Sequence, residues 1–331
     1  MTLEALAWNA QWQQKFEAVV RRSDASLRLQ PGRIIAEHRT HYQIGTDTGE
    51  LSAEATGRFR NNVALRTDLP GVGDFVAFRP AEADGPAFIE AVLPRTSTMV
   101  RKAAAEQRPQ LLAANVDVVF IMTALDGDYN LRRVERYLVL VRDSGALPVI
   151  VANKSDLSAD VAGVMTELAA TAPGVAIHAI SARGRSGLAA LEAYFDGHKT
   201  IALIGSSGVG KSTLTNQLLQ RDAMATQEVR ESDSRGRHTT THRQMFIRAG
   251  GGTLIDTPGM RELGLWNADE GKDANFDDIE QLALACKFTN CGHQTEPSCA
   301  VLAAITAGTL EAGRLASFLA MGKTTERRGN R

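Results

Sequence analysis

The sequence predicts an α/β protein with a parallel sheet at its centre, a small β-barrel before it and a metal-held helical segment after it. Three observations carry that prediction. Apolar runs at 116–122, 148–152 and 200–204 each end in a polar loop and lead into helical periodicity, the pattern of parallel strands buried on both faces. Residues 31–94 instead break into short alternating segments bounded by turn residues. All three cysteines lie between Cys286 and Cys299, a distribution that suits metal ligation and not a disulfide framework.

Composition sets outer limits. At 331 residues the chain is longer than one ordinary core organises, and an aromatic content of 5% beside plentiful aliphatics favours α/β layers over an all-β sandwich. The formal net charge of −1 neither requires nor forbids a nucleic-acid partner, so any such contact is local. Residues 1–29 include Glu4 and lack a sustained apolar core, and no run approaches the length of a membrane span. A soluble, cytoplasmic protein without membrane contact is expected, and nothing marks an oligomer interface, so it is expected to be a monomer.

Along the chain, Trp12, Phe16, Val19 and Val20 recur at helical spacing among polar residues, predicting an amphipathic helix that packs on a neighbour. Short strands follow at 33–36, 42–44, 73–78 and 87–93, as in a barrel of the oligonucleotide-binding (OB) type. Arg58, Phe59, Arg60 and Arg66 offer cations and one stacking ring to RNA. Residues 1–110 hold 14 Lys and Arg against 13 Asp and Glu, so bulk charge does not by itself argue for that contact. A polar, basic connector runs through Arg108. The domain limits expected are 1–28 for a helical extension, 29–96 for the barrel, 97–268 for the α/β domain and 269–331 for the metal-binding domain.

The strongest motif is Gly205, Ser206, Ser207, Gly208, Val209, Gly210, Lys211, Ser212 and Thr213, between an apolar strand and a helix. Glycines let the backbone curl so that its N–H groups face a polyphosphate, and the helix start adds partial positive charge. Lys211 would neutralise the β- and γ-phosphates and Ser212 would ligate magnesium. The strand at 148–152 runs into Asn153, Lys154, Ser155 and Asp156. A carboxylate at Asp156 accepts the N1 and exocyclic amino hydrogens of guanine, an arrangement adenine does not offer, and this argues against an ATPase or kinase. Asn153 would tie this loop to the phosphate loop, and the Lys154 stem would cover the base. Ser181 and Ala182 follow another strand, where a backbone N–H would reach the guanine oxygen. Asp256 ends a strand at 252–255 and would hold magnesium through water, while the Gly259 N–H would meet the γ-phosphate. One of Thr239, Thr240 and Thr241 would complete the magnesium site.

The motif order is unusual, because the guanine-reading loop precedes the phosphate loop. A nucleotide site depends on where strand ends lie in space, so joining the old termini and reopening the chain elsewhere preserves it. The order therefore predicts a circular permutation, and it leads the segment after Gly259 straight into the C-terminal domain. There, Cys286, Cys291, His293 and Cys299 supply three thiolates and an imidazole within fourteen residues, the ligand set of a closed, structural zinc site. The H-x-E and P-C-x-x-C elements of zinc deaminases are absent.

The permuted order, the barrel-like front, Gly236-Arg237-His238-Thr239-Thr240-Thr241 and the Cys-x4-Cys-x-His-x5-Cys cluster together resemble the RsgA (YjeQ) family over residues 30 to 320. The resemblance implies an OB-fold, a permuted GTPase domain and one zinc domain. It further implies GTP hydrolysis, with magnesium, stimulated by the small ribosomal subunit and its rRNA during late maturation of that subunit. Met260 stands where many GTPases place a water-orienting glutamine, and the family's matching histidine is His238. The alternative is an RNA-binding assembly factor that holds GTP as a structural ligand without turnover.

Overall fold

Strand burial sets the centre of the protein. In the computed structural model, which describes residues 2–38, 41–81, 85–102, 109–126, 129–220, 243–256, 276–288, 291–316 and 318–319, strands β8 (Val118–Ala124), β9 (Leu147–Asn153) and β11 (Thr200–Gly205) are buried almost throughout. Alternate side chains of β8 feed opposite layers. Val119 and Ile121 pack with Val134, Leu138 and Val141 of the helix Leu131–Asp143. Val118, Phe120 and Met122 pack with Leu191, Phe195, Leu214 and Leu218 on the other side.

One continuous sheet joins this layer to the barrel. Further strands are β1 (Gln30–Glu37), β2 (Tyr42–Thr46), β3 (Gly49–Ala55), β4 (Phe75–Arg79), β5 (Ala87–Val92), β10 (Ala176–Ala179), β12 (Arg243–Ile247) and β13 (Thr253–Asp256). The order is β10-β9-β8-β11-β13-β12-β1-β2-β3-β5-β4, and β4 returns to pair with β1, closing a five-stranded barrel. Strands β10, β9, β8, β11 and β13 are parallel. The antiparallel β12 bridges to β1 through Ala36 opposite Gln244 and Glu37 opposite Arg243. A separate hairpin, β6 (Thr98–Lys102) with β7 (Pro109–Ala114), fills part of the stretch expected to be a connector. Four strands, β3, β6, β7 and β12, were not anticipated from pattern. β3 alternates only small buried residues, Ala53 and Ala55, with glutamates, while β6 and β12 are only five residues long.

The N-terminal helix, Ala10–Val20, is capped by Asn9 and buries Trp12 and Phe16 against Phe75 and Leu93 of the barrel. Leu3 and Leu6 enter the same core as barrel residues Ile34, Val76 and Phe78. Beneath them lies Arg33, fully buried, whose guanidinium donates to the carbonyls of Leu6 (2.7 Å), Gly73 (3.1 Å) and Asn115 (3.2 Å). It therefore ties the N-terminal segment, the barrel and the entry to β8 at one point. Burial pulls its pKa down to about 10, opposed by Asp117 and Asp74, so it remains a cation at neutral pH. Asn115 secures the same joint, accepting from the Thr96 N–H (2.9 Å) and donating to the Gly73 carbonyl (3.1 Å). Gly73 is required there, since a Cβ would lie 2.0 Å from the Ala114 carbonyl oxygen. Replacing Arg33 with Met leaves these buried carbonyls without that donor, so chemical denaturation is expected to show a loss of about 2–4 kcal/mol; a loss below 0.5 kcal/mol would show that the joint does not depend on Arg33.

The C-terminal segment packs on the outer side of the Leu131–Asp143 helix. Its core of Phe276, Ile279, Cys299, Val301, Leu310 and Leu315 includes Val139 from that helix. Arg314 pairs with Asp278 at 2.6 Å and with Glu135 at 3.4 Å, which fastens the segment to the helix at a half-buried edge.

Candidate functional site

The site forms where the C-terminal ends of β8, β9, β11 and β13 meet, because a parallel sheet directs all its following loops to one edge. After Gly205 the chain curls through Ser206, Ser207, Gly208 and Val209 into the helix Lys211–Leu219. Gly208 and Gly210 take φ of +78° and +99°. A Cβ on Gly210 would stand 2.3 Å from the Asn153 side-chain nitrogen, so the closeness of two loops and the backbone conformation both select glycine. Lys211 folds back over the loop and donates to the carbonyls of Gly205 (2.8 Å) and Ser206 (2.5 Å). Ser212 and Thr213 occupy the first helical turn behind it, half-buried.

Asn153 organises the remainder. Only 3% exposed, it donates through Nδ2 to the Val209 carbonyl at 2.8 Å and accepts through Oδ1 from the Ala182 N–H at 2.9 Å. One side chain therefore spans the loop after β9, the glycine-rich loop after β11 and the loop after β10. Lys154 follows in the left-handed region at φ 61°. The Ser155 N–H donates to the Ile180 carbonyl (3.0 Å), and Asp156 projects at the exposed rim.

The third loop, after β10, is tied to its neighbours through main-chain donors. The Ala182 N–H is taken by Asn153, and the Ser181 N–H donates to the Ser186 carbonyl at 3.0 Å. These two hydrogen bonds hold the loop closed. The Ser181 hydroxyl adds to that closure by accepting from the Gly184 N–H at 3.0 Å.

Asp256 is the last residue of β13, beside β11 and opposite Gln244 of β12. His238, Thr239, Thr240, Thr241, Gly259 and Met260 lie outside the described residues.

At the other end of the chain, Cys286, Cys291, His293 and Cys299 bring their ligand atoms within 4.8 Å of one another. The Cys286 and Cys299 sulfurs are 3.8 Å apart, and the His293 Nδ1 lies 3.7 Å and 3.4 Å from them. Tetrahedral zinc with Zn–S bonds of about 2.3 Å requires sulfurs about 3.8 Å apart, so the donor set fits that ion in both chemistry and spacing. Main-chain N–H groups of Ala300 and Leu302 approach the Cys286 and Cys299 sulfurs at 3.3 Å and 3.5 Å, as they do around thiolates. The loop is shaped by Glu296, which pattern reading missed. Its carboxylate accepts from the N–H groups of Gly292 (2.7 Å), Gln294 (2.8 Å) and Thr295 (3.0 Å), and these backbone bonds hold its pKa at about 2.

In the barrel, Arg58 and Arg60 are exposed on the short helix Gly57–Asn62, Phe59 is half-buried between them, and Arg66 is exposed nearby. Among the described residues no helix is long and apolar enough to cross a membrane.

Comparison with known proteins gives a consistent result. The RsgA GTPase family profile matches residues 92–266. The small ribosomal subunit biogenesis GTPase RsgA 2 of Lactiplantibacillus plantarum is 45% identical over 287 residues, covering 87% of this chain and 81% of that protein. The small ribosomal subunit biogenesis GTPase RsgA of Opitutus terrae is 44% identical over 331 residues, covering 96% and 88%. Among solved structures, YjeQ from Thermotoga maritima aligns with a TM-score of 0.66 at 25% identity, over 92% of this chain and all of that one. YloQ, described as a circularly permuted GTPase, aligns with a TM-score of 0.61 at 25% identity, over 92% and 97%.

Proposed function

Because the chain belongs to the RsgA GTPase family, we propose that it hydrolyses GTP to GDP and phosphate under the control of the small ribosomal subunit, acting in that subunit's late maturation. The observation that carries the nucleotide assignment is the bridging of three loops by Asn153. Such a tie sets a base-reading carboxylate at a constant distance from a phosphate cradle, which is useful only if one ligand occupies both.

In this reading Asp156 accepts the N1–H and amino hydrogens of guanine. The N–H groups between Ser206 and Thr213 cradle the phosphates, and Lys211 exchanges its contacts with the Gly205 and Ser206 carbonyls for the β- and γ-phosphate oxygens. Ser212, together with one of Thr239, Thr240 and Thr241, would hold magnesium, with Asp256 reached through water. Magnesium, when bound, neutralises charge developing between the β- and γ-phosphates. The Gly259 N–H meets the γ-phosphate. Met260 has no hydrogen-bonding group with which to orient water, so we assign that task to His238, brought into place by the bound subunit.

The four-ligand cluster holds one structural zinc per chain, which fixes the fold around it and leaves no open coordination position for catalysis. The exposed arginines of the barrel, with Phe59, supply an RNA-facing surface, so rRNA of the small subunit is the partner. The protein acts in the cytoplasm as a monomer.

Steady-state GTP hydrolysis by the intact protein, alone and with small or large ribosomal subunits, tests this reading. Small subunits alone are expected to raise turnover by about 10²-fold, and His238→Ala to remove most of that gain while GTP binding persists. Equal stimulation by either subunit would overturn the partner. A single burst without turnover, even with small subunits present, would make GTP a structural ligand.

A further inference from the structure

We propose that Asp126 is a positioning residue for guanine recognition, holding Lys154 extended as a wall of the base pocket. The proposal rests on the nucleotide reading above and adds a residue that no motif contains.

Asp126 lies just past the end of β8, and Lys154 just past the end of β9. Pairing of the two strands brings them together, since the Leu125 N–H continues the ladder by donating to the Asn153 carbonyl at 2.8 Å. The Asp126 Oδ2 then meets the Lys154 Nζ at 2.6 Å, with both side chains about three-quarters buried (26% and 29% exposed).

What this achieves follows from how Lys154 is rooted. Its backbone is held in the left-handed region, a conformation that persists in a side-chain-bearing residue only when its neighbours enforce it. Here Asn153 on one side and Ser155 on the other are both bonded into adjoining loops. The root of the lysine is therefore fixed by the backbone and its tip by Asp126, so the four-carbon stem between them has few rotamers left to lose. An apolar stem held in that way covers the face of a planar base and excludes water from the hydrogen bonds made at its edge. Asp156 is exposed, and its discrimination in favour of guanine depends on such cover. Because Asp126 balances the ammonium, the pair is directed to the base and not to the phosphates, so GTP and GDP should depend on it equally.

The experiment is equilibrium binding of GDP, and of GTP with hydrolysis followed separately, to the full chain and to Asp126→Asn, Asp126→Glu, Lys154→Met and the Asp126→Asn/Lys154→Met pair. Asp126→Asn is expected to weaken both nucleotides by a common factor of about three- to tenfold, with the loss falling on KM and not on kcat. Asp126→Glu recovers part of it, and in the Lys154→Met background the Asp126→Asn change costs less than twofold. An equal cost with and without Lys154, or a loss confined to kcat, would overturn the proposal. Asp156→Asn, measured alongside, separates the two layers of inference. If it shifts preference toward xanthine while Asp126→Asn has no effect, the positioning role alone falls. If Asp156→Asn leaves guanine preference intact, the base pocket itself is misassigned.

Discussion

Asp156→Asn is expected to lower the affinity for GTP at least about 100-fold and to raise that for xanthosine triphosphate by a comparable factor. The carboxylate is an acceptor at both oxygens, matching two donors on guanine. An amide keeps one acceptor and places its NH2 group against the exocyclic amine of guanine, donor against donor. Xanthine carries a carbonyl at that position, and the pairing is restored. Because Asn153 and Ser155 anchor the loop on either side, the exchange is expected to leave its backbone unchanged. Competition of GTP, XTP and ATP in a hydrolysis assay reads the outcome. Retention of GTP affinity within threefold would exclude Asp156 from base recognition.

Removing the metal from the C-terminal segment should unfold that segment and spare the nucleotide site. The core around Phe276, Ile279, Val301 and Leu310 is small, and Cys299 is one of its members, 4% exposed. A core of this size supplies only a few kcal/mol, whereas zinc bound by Cys and His ligands contributes about 10–16 kcal/mol to small domains that depend on it. The full chain should contain one zinc by elemental analysis. Chelation, or Cys291→Ser, is expected to increase hydrogen exchange through residues 276–319 and at the face of the Leu131–Asp143 helix around Val139, while GDP binding changes less than threefold. A well-folded C-terminal segment in protein shown to be metal-free would remove the zinc from the account.

In both sites pattern reading recovers the parts that are local in the chain. The three cysteines and the histidine of the C-terminal cluster lie within fourteen residues, a spacing that the fixed bond lengths of a tetrahedral metal would favour. The phosphate loop is equally local, because positive φ at Gly208 and Gly210 and the start of a helix belong to one continuous segment. The Asp126–Lys154 pair was not legible, since it joins positions twenty-eight apart through the pairing of β8 with β9. Glu296 escaped notice for a different reason: a carboxylate bonded only to backbone leaves no pattern in side-chain types. The bond from the Ala182 N–H to the Asn153 side chain leaves no local pattern either, since it joins positions twenty-nine apart.

By itself, then, the order of residues determined the α/β class, the glycine-rich and Asn-Lys-Ser-Asp loops, the permutation and the Cys3His cluster, all of which rest on short-range geometry or on the order in which local motifs occur. The tertiary structure decided how the parts are joined. Arg33 links Leu6, Gly73 and Asn115 across as many as eighty-two positions. The edge of β1 pairs with β12, so barrel and parallel sheet share one hydrogen-bonded surface. The physical reason is common to both: a backbone carbonyl or a strand edge is the same chemical group at every position, and only the packing of distant segments selects which of them meet.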